Sequence, residues 1–150
     1  MPDFVVVRRK LNSLTGYLDE LATLADCSLA EYQRKFERRH AIEKLIELAV
    51  EYAIEINRGV IEAADRTPPQ TYYNTFIEME KLGIWPDKLT SHLASTTGLR
   101  NRLVHRYDEI DNTAVYHSLK PLLKHYRQYV RLIETHIAEK TRPKQKTKKK

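Results

Sequence analysis

Apolar residues in the first part of the chain recur at alternating intervals of four and three. The series is Val7, Leu11, Leu14, Leu18, Leu21 and Ala25. This spacing places all of them on one stripe of an α-helix, and it predicts a helix over about residues 4–25. No stretch of useful length alternates apolar and polar residues as a half-buried strand would. The sequence therefore predicts an all-α protein.

The segment after this helix carries a second helix signal. Ser28 and Glu31 have the spacing of a capping box, which begins a helix. The apolar residues that follow cover a wide face, so we expect this helix in the middle of a bundle, running to about Ala64. Its length predicts a bend or break near Arg38, Arg39 and His40.

Three more helices complete the prediction. A short helix is expected over about residues 71–82 and ends at Gly83, a typical C-terminal cap. A longer one spans about residues 86–105, with Pro86 in its first turn, and the last spans about residues 112–139. Pro121 is expected to kink or restart this last helix. The pattern predicts an up-and-down bundle of four main helices plus one short helix.

Length and composition favour one domain inside the cell. A chain of 150 residues suits a single domain with its own core. Its one cysteine, Cys27, excludes an internal disulfide and predicts a cytoplasmic location. No apolar run approaches 18 residues, so no membrane association is predicted.

The net charge of +6 comes from the C-terminal segment. Residues 140–150 contain seven of the 26 lysines and arginines and no acidic residue, which leaves 19 basic against 20 acidic residues elsewhere. We predict a helical domain over residues 1–139 and a disordered basic tail over residues 140–150. Such a tail either attracts nucleic acid or only improves solubility.

The stretch Arg100–Tyr107 concentrates residues that can carry out chemistry on RNA. Arg100 presents a permanently charged fork of donors that fits a phosphate. His105 can move a proton near neutral pH, and Asn101 lies on its face of the helix at a spacing of four. The pair is sufficient for cleavage of RNA without a metal ion, since the 2′-hydroxyl is a built-in nucleophile. We therefore predict no metal site and no cofactor.

Arg100 and His105 cannot converge on one ideal helix. Five residues at about 100° each leave their Cβ directions about 140° apart, whereas Arg100, Val104 and Tyr107 share a face. The two side chains meet only if the helix ends near His105 or if a second copy contributes one of them.

The spacing of Arg100, His105 and Tyr107 resembles the signature of HEPN-domain ribonucleases, which is an arginine, four residues, a histidine, one residue and a tyrosine. With Gly98-Leu99 before it and Asp108-Glu109 after it, the stretch also resembles the HepT-like toxins of HepT–MntA toxin–antitoxin pairs. The resemblance covers roughly residues 1–139. It implies a helical bundle, a homodimer whose cleft receives both motifs, and Arg100 and His105 as catalytic residues supported by Asn101.

The resemblance also implies a partner and a modification. HepT-like toxins are neutralised by an MntA-like nucleotidyltransferase, which transfers AMP to the motif tyrosine, here Tyr107. We expect the Tyr107 hydroxyl to reach solvent at the rim of the cleft. The alternative is a HEPN domain that binds or scaffolds a nucleotidyltransferase complex without cutting RNA.

Other chemical signals in the chain are weaker. Glu43, Glu47, Glu51 and Glu55 recur at intervals of four, which indicates a solvated helix face or a contact with basic residues of a partner. Glu37 and His40 match half of a di-iron carboxylate motif, but the chain has no second copy of that spacing. The chain has no glycine-rich phosphate loop, no Ser-His-Asp arrangement and no zinc spacing.

Overall fold

Six α-helices make up the part of the chain that the computed structural model describes, residues 3–142. The helices are α1 (Val5–Ala25), α2 (Leu29–Arg34), α3 (Phe36–Ala63), α4 (Tyr72–Lys81), α5 (Asp87–His105) and α6 (Asn112–Thr141). A single 3-10 turn, Tyr107–Glu109, joins α5 to α6. Residues 3–142 contain no β-strand, and the predicted all-α class is confirmed.

The four long helices form an antiparallel bundle. Near the end of α1, the Leu24 carbonyl accepts a hydrogen bond from Arg38, which lies near the start of α3. Lys10, near the start of α1, pairs with Glu55 in the second half of α3. Helix α6 runs antiparallel to α1 as well, since Asp19 of α1 pairs with Arg127 at 2.8 Å while Arg8, near the start of α1, donates to Thr141 at the end of α6. The short helix α4 packs against α3 and α5.

Helix α3 occupies a central position, as its wide apolar face predicted. It packs against α1, α2, α4 and α5. Its polar residue Asn57 is fully buried and donates to Thr75 of α4 at 3.1 Å. The Tyr129 hydroxyl of α6 donates to Asn57 Oδ1 at 2.7 Å, so this buried amide links three helices. Buried polar groups are tolerated when they are paired in this way.

The break in the second predicted helix lies at Lys35, earlier than predicted. The capping box of Ser28 and Glu31 is confirmed, but α2 ends at Arg34. Lys35 leaves the helical region with φ −92° and ψ 88°. The Arg39 guanidinium donates to the carbonyls of Tyr32 (3.3 Å) and Gln33 (2.8 Å), which a helix end leaves without partners. The bundle thus has two short helices instead of one.

The last helix continues through Pro121 and ends later than predicted. It does not restart at Pro121, because the buried residues Leu119 and Leu122 on either side hold this part of α6 against the core. Its helical hydrogen bonds continue to Thr141, so the predicted boundary at residue 139 falls inside α6. The rest of the predicted tail, residues 143–150, lies outside the described residues.

Two predicted helix ends lie close to their expected positions. Gly83 has the positive φ of 79° expected for a C-terminal cap, whereas Pro86 is the N-cap of α5 and not part of its first turn.

Among residues 3–142, no helix combines the length and apolar character needed to cross a membrane.

Candidate active site

The predicted motif lies where α5 ends. The helix stops at His105, as predicted, because Arg106 adopts φ −137° and ψ 50°. Tyr107 then begins the 3-10 turn, and Asp111 caps α6 by accepting from the N–H groups of Thr113 and Ala114. Two helix ends and a tight turn therefore fix the backbone around the motif.

Arg100 is held firmly against α3 and α4. Its Nη2 atom donates to Glu51 Oε2 at 2.9 Å, and its guanidinium lies 5.2 Å from the centre of the Tyr72 ring. Only 14% of the Arg100 side chain is exposed. Its buried Nε atom has no hydrogen-bond partner among the described residues. The guanidinium is positioned by an ion pair and a cation–π contact at the edge of a cleft of about 250 Å³.

His105 and Asn101 lie on another face of α5. Both side chains are exposed, and Val104 beside them is 39% exposed. Within residues 3–142, no hydrogen bond or ion pair connects Arg100 with His105. The structure confirms that Arg100 and Tyr107 face the same way, since both contact α3. It does not bring Arg100 and His105 together within one chain.

Tyr107 is oriented differently from its prediction. The ring is 48% exposed, but its hydroxyl donates to Glu43 Oε1 at 2.8 Å and so is directed toward α3. The expectation of a hydroxyl directed to solvent is therefore wrong. Burial, together with the hydrogen bond and the negative charge of Glu43, raises the pKa of Tyr107 above its usual value.

The regularly spaced glutamates of α3 supply the partners of the motif. Glu43 is only 4% exposed and binds Tyr107, while Glu51 binds Arg100. The interpretation of a wholly solvated face is wrong for these two residues. Sequence reasoning found the spacing of the glutamates but had no signal that this face meets α5. It also missed Tyr72, because an aromatic residue in a short helix indicates packing first.

An exposed, mainly apolar patch, made of Phe36, His40, Val104 and Tyr107, lies about the end of α5. Phe36 is 58% exposed, and its ring lies 6.0 Å from that of His40, which in turn lies 6.4 Å from the Tyr107 ring. Val104 of α5 is exposed near this end of the helix. Clustered exposed apolar side chains are typical of an interaction surface.

No group of three or more metal-ligating side chains occurs in the described part of the chain. The Arg100 guanidinium carries a fixed fork of N–H donors that is suited to a phosphate.

A family model and a relative of known name both place similar proteins in one family. Residues 14–133 match the family described as "Ribonuclease HepT-like". The chain is 34% identical to the tRNA nuclease HepT of Aphanizomenon flos-aquae over 133 residues, which cover 89% of this chain and 90% of that protein.

Solved structures share the fold. A tri-AMPylated HEPN toxin of Shewanella oneidensis, in complex with its MNT antitoxin, superposes with a TM-score of 0.80 at 19% identity. The match covers 87% of this chain and 98% of the toxin. The cytosolic protein YutE of Bacillus subtilis, of unknown function, superposes with a TM-score of 0.77 at 17% identity, over 92% of this chain and 95% of YutE.

Proposed function

The chain belongs to the HepT-like ribonuclease family, and we propose that it is a toxin that cleaves RNA without a metal ion through Arg100 and His105. The observation that carries the proposal is the placement of Arg100. Its guanidinium is fixed by Glu51 and Tyr72 at the end of α5, on the helix that also exposes His105. A preorganised cation stabilises developing negative charge without the cost of reorganising at the moment of reaction.

The proposed reaction uses the RNA's own 2′-hydroxyl. Its oxygen attacks the adjacent phosphorus while the bond from phosphorus to the 5′-oxygen breaks. The imidazole of His105 accepts the 2′-hydroxyl proton, and the leaving 5′-oxygen takes a proton from the second His105 of the cleft or from water. Arg100 stabilises the added charge on the phosphoryl oxygens, and Asn101 orients the imidazole or the phosphate. The products are a 2′,3′-cyclic phosphate and a 5′-hydroxyl, and DNA is inert because it lacks the nucleophile.

The geometry of α5 favours a site shared by two copies. Arg100 faces α3 while His105 is exposed on another face of α5, so one chain presents the two groups in different directions. A second copy docked on the apolar patch of Phe36, His40, Val104 and Tyr107 brings another His105 toward Arg100. We propose a homodimer with one composite cleft that receives Arg100, Asn101 and His105 from both chains.

Control of the toxin is proposed to act through Tyr107. The structural relative from Shewanella oneidensis carries three AMP groups and is bound to an MNT antitoxin. By analogy, an MntA-like nucleotidyltransferase is the proposed partner here, and Tyr107, with its half-exposed ring beside His105, is the proposed AMP acceptor. An added AMP brings bulk and negative charge to a cleft that must admit an RNA backbone. The proposed location is the cytoplasm.

The test is an RNA-cleavage assay in EDTA. Because the cyanobacterial relative is a tRNA nuclease, bulk tRNA is the first substrate, with mixed cellular RNA beside it. We expect cleavage by the wild-type protein and loss of at least about 100-fold for His105→Ala and for Arg100→Ala. Both variants should keep their far-UV helicity. As a matched control, His117→Ala removes an exposed imidazole of α6 and should leave cleavage unchanged.

Two outcomes would contradict the proposal. Cleavage that stops in EDTA and returns with a divalent ion would exclude the metal-free mechanism. The absence of cleavage under all conditions would favour the alternative, a HEPN module that binds without cutting.

A further inference from the structure

The hydrogen bond between Tyr107 and Glu43 joins an accessible ring to a buried carboxylate. Nearly half of the Tyr107 surface is exposed, whereas Glu43 is 4% exposed. The Tyr107 hydroxyl donates to Glu43 Oε1 at 2.8 Å, a normal length for an O–H···O bond. The phenolic proton therefore already points at a carboxylate oxygen in the unmodified protein.

Glu43 is buried with fewer partners than a structural carboxylate needs. Its Oε2 atom is buried and has no hydrogen-bond partner among the described residues. The hydroxyl of Tyr32, a fully buried residue of α2, is also without a partner there. Burial, and after it the negative charge of Glu43, raises the pKa of Tyr32. A buried ionisable group left partly unsatisfied costs stability, so its presence calls for a reason other than packing.

The other titratable groups near Tyr107 do not accept a hydrogen bond from its hydroxyl. Arg39 of α3 is close enough to lower the pKa of Tyr107, but its guanidinium is bound to the backbone carbonyls of Tyr32 and Gln33. The His40 ring lies edge-on to Tyr107 and is exposed. Glu43 is the group that accepts from the Tyr107 hydroxyl.

We propose that Glu43 is the general base that activates Tyr107 as the acceptor of AMP, an inference that rests on the proposed function of Tyr107. The phenolic oxygen attacks the α-phosphorus of ATP bound by the nucleotidyltransferase partner. The new bond joins Tyr107 Oη to that phosphorus, the bond to the β-phosphate oxygen breaks, and pyrophosphate leaves. The phenolic proton passes to Glu43 Oε1. The acceptor protein thus supplies the base for its own modification.

The protonation chemistry of Tyr107 makes such a base necessary. A phenol ionises near pH 10, and here burial and Glu43 raise that pKa further. Spontaneous phenolate is therefore rarer at neutral pH than for a free tyrosine. A carboxylate that removes the proton as the new bond forms avoids this cost. Once protonated, Glu43 becomes a donor and can bond to the newly esterified oxygen, so the buried group keeps a partner.

The test measures AMP transfer to matched variants. Wild type, Glu43→Gln and Glu47→Gln are incubated with an MntA-like nucleotidyltransferase, ATP and magnesium, and AMP addition is followed by intact mass between pH 6 and 9. Glutamine keeps the size of Glu43 and can accept the hydrogen bond, but it cannot take the proton. Glu47 lies one turn further along α3 and pairs with Lys44, so it is the control.

We expect Glu43→Gln to slow the addition at pH 7 by at least about 100-fold, and Glu47→Gln to match the wild type. Without the base, the rate should rise about tenfold per pH unit, as expected for the small phenolate fraction of a group with a pKa near 10. The wild-type rate should rise much less steeply. A purely structural role for Glu43 would lower the rate without changing its pH dependence.

A Glu43→Gln rate within threefold of wild type, or a slower rate with an unchanged pH profile, would overturn the role of Glu43. If Glu43→Gln loses its far-UV helicity, Glu43→Asp decides, since it keeps a carboxylate on a shorter arm. It should be slower than wild type but retain the shallow pH profile, and a steep profile would overturn the proposal. If the wild-type protein receives no AMP at Tyr107, the proposed function of Tyr107 as the acceptor is itself overturned. That result is distinct from a failure of the Glu43 proposal, in which wild-type Tyr107 is modified and only the variants behave differently from expectation.

Discussion

At the scale of single residues, the site depends on contacts that reach from α5 to distant parts of the chain. Arg100 is held by Glu51 of α3 and Tyr72 of α4, and Tyr107 by Glu43. These three partners lie outside the Arg100–Tyr107 stretch, and Glu43 precedes Tyr107 by 64 positions. The positioning of the reactive groups is therefore a property of the packed bundle.

Replacing Tyr107 by phenylalanine separates modification from cleavage. Tyr107→Phe keeps the ring and removes the acceptor oxygen, so we expect it to resist inactivation by the nucleotidyltransferase and ATP while still cutting RNA. It also leaves the buried Glu43 without its donor, which should lower the free energy of unfolding by about 1–3 kcal/mol. The measurements are intact mass, residual RNase activity and urea denaturation.

Tyr73→Phe is the matched control, because Tyr73 of α4 is exposed to nearly the same extent, 50% against 48% for Tyr107. It should change none of these measurements. Transfer of AMP to a residue other than Tyr107, or ATP-dependent inactivation of Tyr107→Phe equal to that of wild type, would contradict the assignment.

The sequence predicted the faces of α5 but not their partners. Helical spacing alone showed that Arg100 and Tyr107 share a face and that His105 lies elsewhere. It could not show that Glu43 and Glu51 face α5. The spacing of residues shows which side chains share a helix face, but it does not show which other helix packs against that face. The direction of the Tyr107 hydroxyl depends on that neighbour, and its prediction was wrong for this reason.

At the scale of elements, α1 and α3 approach each other closely at Gly59. A Cβ atom added there would lie 2.7 Å from the Val7 side chain, whereas one added at Gly16 of α1 would meet nothing within 4 Å. Val7 is buried and β-branched, so it has little freedom to move away. Glycine at position 59 permits the close approach of the two helices.

Alanine at the two glycines should have opposite effects. Gly16→Ala should stabilise the protein by about 0.5–1 kcal/mol, since glycine is a poor residue inside a helix. Gly59→Ala gains the same helix preference but forces Val7 to shift, and overpacking of this kind costs about 1–3 kcal/mol. We expect a net loss of stability for Gly59→Ala, measured by urea denaturation. Equal stabilisation by both variants would contradict the close contact of α1 and α3.

Helix bounds were predictable where the chain carries its own local signals. The capping box at Ser28 and the cap at Gly83 are encoded within a few residues, and both are confirmed. The break was predicted a few residues after its actual position at Lys35. Its position depends on hydrogen bonds from Arg39 to the end of α2, which the local sequence does not reveal. Pro121 was expected to kink or restart the helix, and the restart does not occur, since tertiary packing keeps α6 continuous.

At the scale of the whole molecule, the antiparallel bundle presents its reactive groups beside an apolar surface. Arg100 is anchored inside one chain, while His105 is exposed near the patch of Phe36, His40, Val104 and Tyr107. The up-and-down arrangement of the four main helices was predictable from their apolar stripes. The association of two copies was predicted from the angular offset in α5, and it stays a prediction.

The most direct measurement of a shared site is RNA cleavage by mixed inactive variants. Arg100→Ala and His105→Ala chains are unfolded together, refolded as a mixture, and assayed in EDTA, with native mass spectrometry to count mixed dimers. The shared cleft of each mixed dimer then contains an intact Arg100 from one chain and an intact His105 from the other. Because random pairing makes half of the dimers mixed, we predict partial activity, up to about half of the wild-type activity. Mixed dimers that form in the expected proportion but cut no RNA would contradict the account.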